Sequence, residues 1–214
     1  AERSEKAAIV QLHGIDIELE KIDLVFNPSA HGLFLGEQIQ VHPGESVIDV
    51  GTGSGLFAIM ASLLGGNVSA TEINREAVEI TKVNAILNNA SVDVRQGAFF
   101  ADFEDAFDVI IANLPQKLIL GPQEGKELDT QHFGVHGGAS GNEVLLEFLR
   151  EAKEHMNSGS RLYIQIYSLT DYQATLREVL KYYTSKPLAR KEFIEDELIQ
   201  GNVEVYEELN RQGV

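Results

Sequence analysis

A glycine-rich turn after a short apolar stretch is the first feature of this sequence that could do chemistry. The pattern of Ser46–Val50 predicts a buried strand, and Gly51, Gly53 and Gly55 follow it directly. Glycine has no Cβ, so its backbone adopts positive φ and admits the close approach of a ligand. Glu72 lies 21 residues after Gly51, at the end of a second predicted strand, where a carboxylate can accept hydrogen bonds from both ribose hydroxyls. The glycine turn and Glu72 together indicate a nucleoside-binding site, whereas the glycines alone would also suit an ordinary tight turn.

The spacing of the glycines bears on which nucleoside would bind. Dinucleotide-binding folds favour G-x-G-x-x-G, whereas here Leu56 occupies the third glycine position and the third glycine comes one residue early. The G-x-G-x-G form, with Asp49 two residues before it, resembles motif I of the class I S-adenosylmethionine-dependent methyltransferases. That resemblance implies that residues 51–55 line the methionine and ribose parts of S-adenosyl-L-methionine. The resemblance also implies that Ile73 lies beside the adenine. The full set of cofactor-binding residues that it implies is Asp49, Gly51, Thr52, Gly53, Gly55, Glu72, Ile73 and Asn113.

A second candidate site follows the fourth predicted strand. Asn113, Leu114, Pro115 and Gln116 begin 62 residues after Gly51, and parallel strands present their carboxyl ends at one sheet edge. The asparagine oxygen and the next backbone carbonyl can each accept an N–H, which would direct a nitrogen lone pair at a methyl group without a strong base. The segment resembles the Asn-Pro-Pro-Tyr motif of N-directed methyltransferases, with leucine and glutamine replacing the first proline and the aromatic residue. A strand-end turn without function is the alternative.

The combined motifs are most similar to the HemK/PrmC-type glutamine N5-methyltransferases. Asn27-Pro28, the segment 97–100 and the glycine-rich segment 136–141 resemble elements of that family. The resemblance implies that Asn113, Leu114 and Pro115 are catalytic and that Phe99 covers the adenine. Ala98 stands where that family usually carries an aspartate.

Two further side chains are candidates for substrate binding. Gln116 could hydrogen-bond an acceptor, and His31, close to Asn27-Pro28, could contact substrate or act as a base. A lone histidine is more often an ordinary polar residue. His132 and His136 lie in the long connection 117–141, which we expect to shape the substrate pocket. Because the spacing of the three histidines matches no ligand pattern, we expect no metal.

The elements that must position these residues alternate regularly between strand and helix. Five such alternations predict βαβ units, and we therefore predict an α/β fold of the class I methyltransferase type. It would be a Rossmann-like, doubly wound, seven-stranded, mostly parallel sheet with an antiparallel C-terminal hairpin. Residues 1–44 would form an N-terminal extension and substrate-side cover, and residues 45–214 the cofactor-binding core. The expected strands are 15–20, 46–50, 67–72, 92–96, 107–112, 161–167, 189–194 and 202–208, and the expected helices are 29–40, 56–64, 75–88, 142–156 and 172–183.

Composition narrows the classes of function. The chain has 214 residues, 33 acidic against 17 basic side chains, a net charge of −16 and no cysteine. It therefore has no disulfide, thiolate metal site or cysteine nucleophile, and the charge argues against phosphate backbones and anionic membranes as partners. No stretch resembles a signal peptide or a transmembrane span, so we expect a cytoplasmic protein.

These observations together predict an S-adenosylmethionine-dependent N-methyltransferase. The acceptor would be a nitrogen of a small molecule or a protein amide, and the chain could form a homo-oligomer or bind a small partner subunit. One alternative is an RNA or DNA base N-methyltransferase, for which a basic partner would supply the phosphate affinity. The other alternative is a non-catalytic cofactor-binding subunit.

Overall fold

A parallel β-sheet lies at the centre of the larger of two units into which the chain divides. The computed structural model describes residues 7–20, 25, 28–101, 103–116, 137–138, 140–185 and 187–191. The first unit comprises Ala1–Asn113 with Glu154–Gln165, and the second Leu114–Lys153 with Ile166–Val214. The elements in chain order are β1 (Ala8–Leu12), β2 (Ile15–Leu19), α1 (Ala30–Gly36), β3 (Ser46–Val50), α2 (Leu56–Leu63), β4 (Asn67–Glu72), α3 (Arg75–Leu87), β5 (Val92–Gln96), β6 (Phe107–Ala112), α4 (Glu143–Ala152), a 3-10 turn (Lys153–His155), β7 (Met156–Ile164) and α5 (Tyr172–Tyr182).

The central sheet has the strand order β5-β4-β3-β6-β7, with every described pair parallel. The chain runs outward from β3 to β5 and then crosses to β6, so the order reverses between β3 and β6. In open α/β sheets such a reversal places a crevice at the carboxyl ends of the two strands. The middle strands are apolar because both of their faces are covered, and Val47, Ile48 and Ile111 have no exposed surface. The predicted α/β class with a mostly parallel sheet is confirmed.

The N-terminal hairpin belongs to the same hydrophobic core. Strands β1 and β2 pair antiparallel through a turn at His13 and Gly14, whose φ values of 52° and 74° suit a two-residue hairpin. Buried Leu12 joins a cluster that includes core residues of α1, α2 and the sheet. Gly36 at the end of α1 leaves no room for a side chain, because a Cβ there would lie 2.8 Å from Leu12 Cδ1. The strand expected at 15–20 is therefore confirmed as one arm of a hairpin.

The second unit contains α4 and α5, which pack on one another. Helix α5 begins at Asp171, whose side chain accepts a hydrogen bond from Ala174 N at 3.0 Å, as a capping aspartate does. The carboxylate of Glu178 binds Arg150 Nε and Lys181 Nζ, each at 2.6 Å. In the part of the chain that the structure describes, no helix is long and apolar enough to cross a bilayer.

The boundary between α4 and β7 differs from the expectation. The helix expected over 142–156 ends at Ala152, and the strand expected over 161–167 occupies Met156–Ile164. Met156 pairs with Phe107 and Arg161 with Val109, so the polar residues 157–160 fall in a register shift between these two pairs. Of the C-terminal hairpin expected from 189 to 208, residues 189–191 are not in a strand and the others lie outside the described residues.

Candidate functional site

The glycine loop between β3 and α2 has a backbone that only glycine adopts without strain. Gly51, Gly53 and Gly55 have φ values of 70°, 59° and 89°, in the left-handed region that L side chains disfavour. The N–H groups of Gly51 and Thr52 both donate to the carbonyl of Thr71, at 2.9 and 3.0 Å. The loop is thereby tied to the end of β4.

Glu72 lies at the end of β4 and binds the same loop with its side chain. One carboxylate oxygen accepts the N–H of Gly53 at 3.0 Å, and the other accepts the N–H of Asn74 at 2.9 Å. The carboxylate is half-buried, and its oxygens keep further lone pairs that can accept hydroxyl groups. The sequence-predicted partners Gly53 and Glu72 are therefore in direct contact.

Asp49 lies beneath the loop and has 1% of its surface exposed. Its Oδ2 accepts hydrogen bonds from the hydroxyl of Thr52 at 2.6 Å and from the N–H of Ala58 at 3.1 Å. The second bond caps α2, whose N-cap residue is a glycine without a side chain. Burial raises the pKa of Asp49 to about 7. The two hydrogen bonds lower this pKa in part, and the nearby negative charge of Glu72 raises it further. This geometry favours a role in positioning the loop over direct contact with a ligand.

Two polar residues of α3 hold the loop from behind and were not singled out in the sequence. Thr81 Oγ1 donates to the carbonyl of Gly53 at 2.9 Å, and Asn84 Nδ2 donates to the carbonyl of Ser54 at 2.9 Å. Both side chains are completely buried. Position could have indicated that Thr81 is buried, because it lies in the apolar row between Ala77 and Ala85, one helical turn from each. Its partner in the loop could not be read from that pattern.

The residues expected around an adenine lie near the end of β4. Ile73 directly follows Glu72 and is 68% exposed, so its apolar surface is open to a ligand. Phe99 is half-buried with a φ of 43°, and its carbonyl accepts a hydrogen bond from the hydroxyl of Thr71. Phe100 points elsewhere, because its ring is buried and stacks on His155.

Asn113 follows β6 at the same level as the glycine loop follows β3. The strands are in register so that Val50 pairs with Ala112, and neighbouring strands lie about 4.8 Å apart. The half-buried Asn113 also lies against α1, since a Cβ added to Gly32 would be 3.3 Å from Asn113 Nδ2. His31 is half-buried and adjacent to Gly32 in this helix. The first unit therefore brings the glycine loop, Asn113 and α1 to one edge of the sheet.

The rest of the predicted acceptor motif belongs to the second unit. Leu114 and Gln116 are buried and Pro115 is half-buried. The Oε1 atom of Gln116 accepts the N–H of Tyr167 at 3.1 Å, and a Cβ added to Gly137 would lie 2.7 Å from Gln116 Cα. We expected Gln116 to bind substrate, and its burial and hydrogen bond instead favour a structural role.

Some expected features lie outside the described residues, namely Asn27, His132 and His136. Among the residues that the structure does describe, no group of three or more histidine, aspartate or glutamate side chains could hold a metal ion.

This chain is similar in sequence to methyltransferases. Residues 32–121 match the family model described as ribosomal protein L11 methyltransferase (PrmA). A protein from Methanocaldococcus jannaschii provisionally named protein N5-glutamine methyltransferase is 28% identical, over 86% of this chain and 88% of its own. The L11 methyltransferase of Caldicellulosiruptor saccharolyticus is 42% identical over 39% of this chain, which spans only 28% of that longer protein.

Solved structures show the same fold. A methyltransferase from Pyrococcus furiosus aligns with a TM-score of 0.62 and 22% identity, over 83% of this chain and 84% of its own. The 16S rRNA N2 G1207 methyltransferase of T. thermophilus, solved with AdoMet and guanosine, aligns with a TM-score of 0.64 and 20% identity, over 81% of this chain and 45% of its own. The predicted class I methyltransferase fold is thus confirmed.

Proposed function

We propose that this chain is a class I S-adenosylmethionine-dependent methyltransferase whose methyl acceptor is the amide nitrogen of a protein side chain. One observation carries the proposal: Asn113 leaves the sheet from the strand next to the glycine loop, through the Val50–Ala112 pair. A carboxamide at that position offers an acceptor for an N–H of the substrate and no strong base. This chemistry suits a neutral nitrogen that must be oriented.

The residues around the loop fit the cofactor. The positive-φ glycines allow a ligand to approach the main chain, and the Glu72 carboxylate beside Gly53 can accept ribose hydroxyls. Exposed Ile73 offers an apolar face for an adenine. When bound, the cofactor would supply an electrophilic methyl group on a sulfonium sulfur, which would leave as a neutral thioether, and the methylated nitrogen would release one proton to water.

The side chain of Asn113 would orient the acceptor. Its carboxamide oxygen would accept an N–H of the substrate, which restrains the direction of the nitrogen lone pair. Orientation of this kind can contribute several kcal/mol, of the order of 7 in favourable systems, to lowering a barrier. Asp49, Thr81 and Asn84 contribute by holding the loop in its observed conformation.

Two observations favour a protein amide over a nucleic acid base. The relative named as a protein N5-glutamine methyltransferase matches along nearly the full length of both chains. The net charge of −16 opposes binding of a phosphate backbone. A neutral or cationic protein segment is the better match to this surface.

A labelled-methyl transfer assay tests the proposal. Wild-type protein is incubated with labelled S-adenosylmethionine and, separately, with glutamine-containing peptides, free amino acids and RNA. We expect label in the peptides, and Asn113→Ala should reduce transfer at least a hundredfold while calorimetry shows unchanged cofactor affinity. Label in RNA alone would instead support the base-methylating alternative. Unchanged turnover of Asn113→Ala would contradict the proposed acceptor site.

A further inference from the structure

The side chain of Asn84 links the glycine loop to the N-terminal hairpin. Its Nδ2 donates to the carbonyl of Ser54 at 2.9 Å, and its Oδ1 accepts the N–H of Glu20 at 2.8 Å. The orientation of the carboxamide is fixed by these partners, because a carbonyl only accepts and an N–H only donates. Asn84 has no exposed surface, so water cannot replace either partner. Ser54 and Glu20 are 34 positions apart in the sequence and meet through this one residue.

Two neighbours on α3 each make only one half of this link. Thr81 binds the loop alone: its hydroxyl donates to Gly53 O, and its Cγ2 would lie 3.0 Å from a Cβ added to Gly55. Asn88 binds the hairpin and not the loop: its Oδ1 accepts Glu18 N at 2.8 Å, and its Nδ2 donates to Glu18 O and to the main-chain carbonyl of Asn84, each at 2.7 Å. On successive turns of α3, Thr81 therefore contacts the loop, Asn84 contacts both the loop and the hairpin, and Asn88 contacts the hairpin.

We infer that Asn84 is a positioning residue that couples cofactor binding to the docking of the N-terminal hairpin. This inference rests on the proposed function only in that the glycine loop binds the cofactor. A ligand that holds the loop also fixes Ser54 O, and with it the carboxamide that must receive Glu20 N–H. A buried carboxamide with one partner missing is costly, so each contact favours the other. Because coupling between two equilibria is reciprocal, hairpin docking must raise cofactor affinity by the same factor.

Hydrogen exchange on the wild-type protein tests the coupling without a substitution. Amide exchange is measured with and without saturating S-adenosylhomocysteine, the demethylated form of the cofactor. We expect the Glu20 amide to exchange about tenfold more slowly with the ligand, and the Glu18 amide, which Asn88 holds, to change less. Slower exchange confined to residues 51–55 with Glu20 unchanged would overturn the inference.

Three variants separate the contacts. Asn84→Leu should raise the dissociation constant of S-adenosylhomocysteine about tenfold and abolish the effect of the ligand on Glu20 exchange. Thr81→Val should also weaken binding, with Thr81→Ser restoring it, but should keep the effect on Glu20. Asn88→Ala should speed exchange of the Glu18 amide, whose contact it removes. Because the Asn84 contacts to Glu20 and Ser54 remain, the hairpin should stay mostly docked and the dissociation constant should stay within about twofold of wild type.

The outcomes of these experiments distinguish a failure of the Asn84 coupling from a failure of cofactor binding. Equal affinities of Asn84→Leu and Asn88→Ala, with normal wild-type binding, would overturn the coupling and leave cofactor binding intact. Failure of the wild-type protein to bind S-adenosylhomocysteine at all would overturn both. If Asn84→Leu does not fold, the wild-type exchange measurement decides the question alone.

Discussion

The main chain of Gly32 lies against the side-chain amide of Asn113, so that a Cβ on Gly32 would be 3.3 Å from Asn113 Nδ2. This separation is tighter than most contacts that real Cβ atoms make. Helix α1 therefore limits where the Asn113 carboxamide can lie, and the absence of a side chain at Gly32 is part of the geometry of the acceptor site.

Gly32→Ala should lower the turnover number. The added methyl group must displace Asn113 by a few tenths of an ångström, and because a displacement of about 1 Å can cost on the order of a hundredfold in rate, we expect a loss of about tenfold. Cofactor affinity should stay the same. Gly36→Ala is the control: its methyl group would meet Leu12 and Phe57 instead, so it should lower thermal stability without altering the rate of folded protein. Wild-type turnover in Gly32→Ala would contradict this account.

Glu72→Gln should weaken binding of S-adenosylmethionine by about tenfold to a hundredfold. The carboxylate binds the N–H groups of Gly53 and Asn74, and hydrogen bonds to a charged group are worth about 1.5–3 kcal/mol. Isothermal titration calorimetry measures the change. Glu76→Gln is the matched control, because that glutamate is exposed and lies nearby in the first turn of α3. A variant that loses turnover but keeps its affinity would show that Glu72 does not hold the cofactor.

The stability of the protein should carry a pH dependence that originates at Asp49. Its pKa is raised from 3.8 to about 7 by burial, so the folded state retains a proton that the unfolded state has lost. The contribution of Asp49 to the free energy of unfolding is therefore largest below about pH 4, falls as the pH rises, and is constant above about pH 7.

Chemical denaturation of wild type and Asp49→Asn from pH 4 to 8 measures this contribution. The stability of wild type relative to the variant should decrease across that range. Asp16→Asn, at an exposed position of β2, should show no comparable change. A wild-type advantage over Asp49→Asn that grows with pH would refute the assignment.

Gln116→Ala should destabilise the protein and leave the chemistry intact. The substitution removes the acceptor of the Tyr167 N–H from a site with 3% exposure, which costs about 1–3 kcal/mol. The free energy of unfolding should fall by that amount, whereas Gln173→Ala, at an exposed position of α5, should change it by less than about 0.5 kcal/mol. A large increase in KM for the acceptor in folded Gln116→Ala would restore the substrate-binding role.

The strands of the central sheet were predictable wherever clear turn residues bound them. The observed ranges of β4, β5 and β6 equal the expected ones. Turn residues bound the two less apolar strands, with Gly65-Gly66 before β4, Asn88-Asn89 before β5 and Gly97 after β5. The same logic failed at β7. Residues 157–160 are polar and include Gly159 at a φ of 95°, so they resemble a loop. They fall between the pairs Phe107–Met156 and Val109–Arg161, in a bulge that sequence periodicity does not mark.

The polar support of the glycine loop was less predictable than the loop itself. Gly51 and Glu72 are recognisable because their types and spacing match a known chemistry. Thr81 and Asn84 are of types that usually face water on a helix, and their burial follows from the loop carbonyls that α3 meets in three dimensions. Sequence periodicity contains no information about those carbonyls. Tertiary hydrogen bonding therefore explains why Thr81 and Asn84 are polar at buried positions.

The pairing of Val50 with Ala112 has a consequence for how this chain can vary over evolution. The separation between the glycine loop and Asn113 is set by main-chain hydrogen bonds between β3 and β6, whatever the length of the intervening polypeptide. Insertions or deletions in the connections among α2, β4, α3 and β5 can therefore accumulate without changing the span between the two sites. Because the main-chain register sets this distance, it stays the same as the sequence changes, while the side chains around the site can diversify to bind different acceptors.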